Sequence, residues 1–196
     1  MKFIAVLLCA LPTVVWAGAQ QYEPLADSVR TRLSRAVSDK AVPSMAFRSS
    51  SDAQRWLAAM DERLARRIPD RKARQELLRT VHYEATRARL DPQLVLGVIE
   101  VESAFRKYAV SRAGARGYMQ VMPFWVNLIG QPGHNLFHLR TNLAYGCAIL
   151  RHYLDLEKGD YFRALGRYNG SLGKAEYPNL VLSAWRGRWK YDGPTA

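Results

Sequence analysis

No stretch of useful length in this chain alternates apolar and polar residues with a period of two. Apolar residues return every three or four positions instead, which a half-buried sheet cannot use and a helix requires. Residues 20–40 carry Leu25, Val29, Leu33 and Val37 at that spacing. Pro43 and the Ser49, Ser50, Ser51 run then read as a loop, after which Asp52 is placed to cap a helix bearing Trp56, Leu57, Met60 and Leu64 that ends near Pro69. Asp70 starts a third helix through Leu77, Leu78, Val81 and Tyr83 to about Leu90. Further helices are predicted over 139–156 and from Pro178 onward. The expected fold class is mainly α, with no internal repeat.

One helix constrains function as well as fold. Asp91-Pro92 pairs a capping side chain with a proline at the first helical position, and the apolar run continues to Phe105. At about 100° per residue, Leu94, Val95, Val98, Ile99, Val101 and Phe105 share one arc. Glu102 falls inside that arc, whereas Glu100 lands on the opposite, solvated face. A carboxyl group pressed against apolar surface resists ionisation, so its pKa rises and it can carry a proton at neutral pH. A bland alternative is that Glu102 merely ends the helix or pairs with Arg106.

A chain of 196 residues, 48% hydrophobic and 23% charged, suits one core-forming domain with an extension, and excludes wholesale disorder. Residues 1–19 read as an export signal. Lys2 precedes an apolar run from Phe3 to Val15, and small residues offer cleavage after Ala17 or Ala19, so processing is expected to leave Gly18 or Gln20 first. The run is too short to persist as a membrane span and lacks stop-transfer charges. A periplasmic, soluble product is therefore expected, with Cys147 left as its only cysteine, packed among Ala144, Ala148 and Ile149. The formal net charge of +12 suggests a polyanionic partner but selects none, since an exported protein meets cell-wall polymers and membrane surfaces rather than nucleic acid.

After the fourth helix comes a turn-rich stretch, Ser111-Arg112-Ala113-Gly114-Ala115-Arg116-Gly117, and then Tyr118-Met119-Gln120-Val121-Met122-Pro123. Its two glycines permit a tight backbone, but without a flanking strand they do not form a phosphate loop. Taken in order, Glu102-Ser103, Ser111, Gly114-Ala115, Gly117-Tyr118-Met119-Gln120, Met122-Pro123 and the distal Tyr168-Asn169 closely resemble the soluble lytic transglycosylase (SLT) domain. The resemblance spans roughly residues 75–185. Tyr118 stands where the family has leucine, and Gly170 follows Asn169 directly where the family has alanine then glycine. Residues 20–70 have no counterpart in it.

The resemblance implies a lysozyme-like α-helical domain, here over 71–190, preceded by a helical extension over 20–70. It implies cleavage of peptidoglycan between N-acetylmuramic acid and N-acetylglucosamine, with a 1,6-anhydro product, no cofactor and glycan strands as the partner. Glu102 would act as both acid and base. Gln120 would bind a sugar amide or hydroxyl, and Met119 and Met122 would line the cleft. Tyr168 would hold Glu102 or the substrate's acetamido group, Asn169 would position sugar or loop backbone, and Ser103 and Ser111 would hydrogen-bond within the site. Two other readings share these residues: a goose-type lysozyme-like hydrolase, and a non-catalytic wall-binding component of a secretion or conjugation assembly. An intact Glu102-Ser103 pair argues against the latter. His134 and His138 have the spacing of two ligands on one helix face but lack a third, so no metal is expected. Trp56, Trp125, Trp185 and Trp189 are expected mostly in the core.

Overall fold

The computed structural model describes residues 20–41 and 43–193. The expected export signal, residues 1–19, lies outside them. Among the described residues are eight helices: α1 (Asp27–Val37), α2 (Ser50–Leu64), α3 (Arg71–Arg87), α4 (Pro92–Ser103), α5 (Phe124–Ile129), α6 (Leu139–Leu156), α7 (Tyr161–Asn169) and α8 (Glu176–Arg186). No strand forms there; the turn-rich stretch is closed by two isolated antiparallel bridges, Val110 to Arg116 and Arg116 to Val121. The mainly α expectation holds. Among the described residues, no helix is long and apolar enough to cross a membrane.

Side-chain caps mark the starts of α2, α3, α4 and α7. Asp70 accepts the Lys72 amide at 2.9 Å, and Asp91 accepts the Gln93 amide at 2.7 Å with Pro92 following it. The cap of α2 is Ser49 rather than Asp52. Asp52 sits in the first turn, where its amide donates to Ser49 Oγ (3.1 Å) and its carboxylate accepts from that hydroxyl (2.8 Å). The first helix is shorter than its periodicity suggests, because residues 20–26 are not helical. At the other end of α4, the expected continuation to Phe105 fails: Ala104 (φ 49°) and Phe105 (φ 63°) are both left-handed. Phe105 stays buried regardless, against Trp189.

α4 is the buried axis of the molecule, packed on α3 and α8, while α7 bridges α6 and α8. Leu94, Val95, Leu96, Val98 and Ile99 are fully buried, so α4 is apolar on nearly every side. α1 packs on α5 and α6, and α2 on α3. Leu33, Val37, Trp56, Met60 and Leu64 from these helices join the same continuous core as α4. The helices that precede the family-like region are thus fastened to it by buried apolar surface. Trp56, Trp125 and Trp189 are core residues; Trp185 is half-buried and donates to Asp91 Oδ2 at 2.8 Å. Cys147 is a buried free thiol. The two histidines do not share a helix face: His138 caps α6, and His134 lies in the preceding turn with Nδ1 2.8 Å from the Tyr145 hydroxyl.

Candidate active site

Glu102 occupies the last turn of α4 and is 5% exposed. Its Oε1 accepts from the Tyr177 hydroxyl at 2.7 Å, and the Asn169 side chain also hydrogen-bonds the carboxyl group. Oε2 is buried and has no hydrogen-bond partner among the described residues. Burial pushes the Glu102 pKa up to about 8, partly opposed by Tyr177 and Asn169, which stabilise the charged form. The group is therefore protonated at neutral pH, and one of its oxygens is left for something else to meet.

Helix ends converge on it. Asn169 is the last residue of α7, and Gly170 (φ 78°) takes the left-handed position that closes the helix. Tyr177 lies in the first turn of α8, fully enclosed, with its hydroxyl held far from ionisation by burial and by the neighbouring Glu102. The α4·α8 packing brings Tyr177 within reach of a residue 75 positions earlier.

The other predicted site residues build the wall beside this group. Tyr168 is buried and its hydroxyl donates to the Met119 carbonyl at 2.7 Å, holding the 117–120 turn; the hydroxyl bonded to Glu102 is that of Tyr177. Met119 is fully buried against Gly146, where an added Cβ would lie 2.3 Å from its sulfur. The Gln120 backbone is left-handed (φ 49°), and its amide nitrogen donates to the carbonyls of Ala109 (3.1 Å) and Gly117 (2.9 Å). Ser103 donates back to Ile99 O at 3.1 Å, and Ser111 Oγ accepts the Ala115 amide at 3.1 Å. Met122 is half-buried and its amide points at Gln20 Oε1, 3.4 Å away. Glu102 and Asn169 thus touch directly, while the side chains of Gln120, Ser103 and Ser111 bond to backbone groups and Met119 is tied through its own backbone to Asn142 and Tyr168.

Three participants escape a reading of the sequence. Tyr177 is one. Asn142 is another: buried in α6, it accepts the Met119 amide and donates to the carbonyls of Arg116 and Leu136, each at 2.8 Å. Gln20 is the third; its Oε1 also accepts the Trp125 indole N–H at 2.9 Å. A polar residue breaking the apolar face of α6 was the only available signal for Asn142, and none pointed to the others. Glu100 also departs from expectation. Its side chain is 13% exposed rather than solvated, and it accepts from Arg67 (2.6 Å), Arg188 and Trp189 Nε1 (2.6 Å). Asp155 is committed to Arg32 and Arg151.

Comparison with known proteins gives this geometry a context. Residues 79–179 match the family described as the transglycosylase SLT domain. The chain is 35% identical over 110 residues to a protein of Enterobacteria phage PRD1 named transglycosylase, covering 53% of this chain and 40% of that one. It is 32% identical over 119 residues to membrane-bound lytic murein transglycosylase C of Histophilus somni, covering 50% and 32% respectively. A shorter match to the protein of that name in Actinobacillus pleuropneumoniae reaches 54% identity over 52 residues, 26% of this chain and 14% of the other. The chain therefore spans less than half the length of these relatives. No solved structure matches it.

Proposed function

The chain belongs to the transglycosylase SLT family, of lysozyme-like fold, and from that premise we propose that it is an exported peptidoglycan lytic transglycosylase with Glu102 as its single acid and base. The observation that carries this reading is the environment of Glu102: buried, hydrogen-bonded by the neutral Tyr177 and Asn169, with a pKa near 8 and, among the described residues, one oxygen without a hydrogen-bond partner.

The chemistry follows from that proton inventory. Glu102 gives its proton to the oxygen that links C1 of N-acetylmuramic acid to N-acetylglucosamine, and the C1–O bond breaks. The substrate's own acetamido oxygen closes on C1 and carries the positive charge, which removes the need for a second carboxylate. The ionised Glu102 then takes the proton of the muramoyl C6 hydroxyl as that oxygen attacks C1 and the acetamido oxygen departs. The ring closes as the 1,6-anhydro sugar, no water is consumed, and Glu102 ends protonated. A carboxyl group with a pKa near the working pH suits both halves, because it is a competent acid when protonated and a strong base when ionised. Tyr177 and Asn169 fix its orientation, and the 117–122 turn, tied down by Asn142 and Tyr168, forms the adjoining cleft wall.

Incubation of the purified protein with isolated sacculi, followed by mass analysis of the released muropeptides, tests the proposal. Anhydro ends, lighter by one water than reducing ends, are expected. Reducing ends alone would make it a hydrolase, and no release would leave a wall-binding protein.

A further inference from the structure

Away from Glu102, the seam between α1, the end of α3 and α6 encloses a cavity of about 460 Å³. Its floor is apolar, with Leu33 and Ala144, and its rim carries four arginines, Arg32, Arg87, Arg89 and Arg151, against one carboxylate, Asp155. Arg87 is neutralised by Glu84. Arg32 (2.8 Å) and Arg151 (2.6 Å) share Asp155, and no carboxylate among the described residues pairs with Arg89. Among the residues lining the cavity, Arg32, Arg89 and Arg151 are therefore balanced by a single carboxylate, an excess of two positive charges.

Two further features single out the arginines. Arg89 is left-handed (φ 55°) just past the end of α3, a position glycine or asparagine fills most easily; it lines the cavity and is exposed. Its carbonyl is held by Arg151 Nη1 at 3.3 Å, which ties the two residues together. The Nε of Arg151 is itself buried without a hydrogen-bond partner.

We propose that this cavity binds the phosphate group of a small ester or a lipid headgroup. A carboxylate presents two oxygens in one plane and is satisfied by one or two guanidinium forks. Here arginines come to one cavity from three separate elements, which suits the tetrahedral oxygens of a phosphate, since these do not lie in one plane. The apolar floor accommodates the carbon stem that bears it. None of these residues takes part in the site at Glu102, so binding here stands or falls independently of wall cleavage.

Titration calorimetry of the full chain with glycerol 3-phosphate tests the site, beside flotation with phosphatidylglycerol and phosphatidylcholine vesicles. Saturable one-to-one binding is expected. It should weaken at least tenfold in Arg89→Glu and in Arg32→Gln, and change less than twofold in Arg71→Glu, which reverses an exposed charge outside the cavity. Circular dichroism confirms that the variants fold. Displacement of the protein from phosphatidylglycerol vesicles by glycerol 3-phosphate identifies the source as a lipid headgroup. Saturable binding without displacement identifies a soluble phosphate ester. Absence of saturable binding overturns the proposal. So do equal losses in Arg89→Glu and Arg71→Glu, or malonate binding as tightly as the phosphate.

Discussion

Two glutamates, two residues apart on α4, have been given opposite surroundings. Glu100 faces outward, where Arg67, Arg188 and the Trp189 indole surround its carboxylate with donors, two of them cationic. Glu102 faces inward, where its hydrogen-bond partners, Tyr177 and Asn169, are neutral. A nearby cation favours the ionised form and turns a carboxylate into a tether; burial without a cation favours the neutral form and turns the same group into a proton store. Glu100 joins the segment after α2 to the C-terminal segment, holding together parts of the chain distant in sequence. In the proposed mechanism Glu102 is the reactive one, because the side chains that hydrogen-bond it, Tyr177 and Asn169, are neutral.

The strongest test of the contrast is Glu102→Gln. Glutamine keeps the shape and an acceptor for Tyr177 but has no acidic proton, so muropeptide release should fall by about 10²–10⁴-fold or more, since one group serves both steps. Thermal melts should move the other way. The pKa of the carboxyl group rises from its ordinary 4.5 to about 8 on folding. The stability it contributes is therefore fully present below about pH 4.5 and is lost as pH rises through 8. Glutamine cannot ionise, so the variant should melt with the parent at pH 4 and several degrees above it at pH 9. Wild-type activity should decline through about pH 8 as the acid form is depleted.

Next in size comes Asn142→Ala, which attacks the inner face without touching the acid. It leaves the Met119 amide and the carbonyls of Arg116 and Leu136 without their partner in a buried place. Unfolding by denaturant should show a loss of about 3 kcal/mol, the scale of a buried polar cluster left unsatisfied. If stability held while activity fell, Asn142 would be acting on the cleft alone.

How far the sequence reveals this site depends on the range of the contact. α4 was readable because its cap, proline and apolar arc are local, and the same arc set Glu102 apart from Glu100. The turns around Gly114 and Gly117 were readable for the same reason. Tyr177, Asn142 and the cations on Glu100 were not, because each meets its partner only through packing of helices far apart in sequence. Tyr168 shows the intermediate case: its place beside the site follows from the family motif, but the choice of Met119 O over Glu102 as acceptor is set by the path of the 117–120 turn.

Tyr177→Phe sharpens the comparison by removing one neutral donor from Glu102. Loss of a hydrogen bond worth about 0.5–1.5 kcal/mol should lower activity at pH 7 roughly 3–10-fold. The direction of the pH shift is the sharper readout. Tyr177 stabilises the ionised form, so without it the Glu102 pKa should climb further and the alkaline limb of the rate profile should move up. A limb moving down would mean that the tyrosine favours the neutral acid instead.

Glu100→Gln carries the smallest expected effect and bears most directly on the contrast between the faces. The variant keeps one acceptor for Arg67 or Trp189 but removes the charge that Arg67 and Arg188 share. Arg188 is 53% exposed and regains water, whereas Arg67 and the Trp189 indole are more enclosed. Denaturant unfolding should show a loss of about 1 kcal/mol, between a solvated ion pair and a buried one. Muropeptide release should stay within twofold of the parent at temperatures where the variant is folded, and its pH profile should overlay the parent's, because the Glu102 environment is unchanged. A tenfold fall in release with no loss of stability would place Glu100 in the chemistry, and the division of α4 into a tethering face and a reacting face would fail.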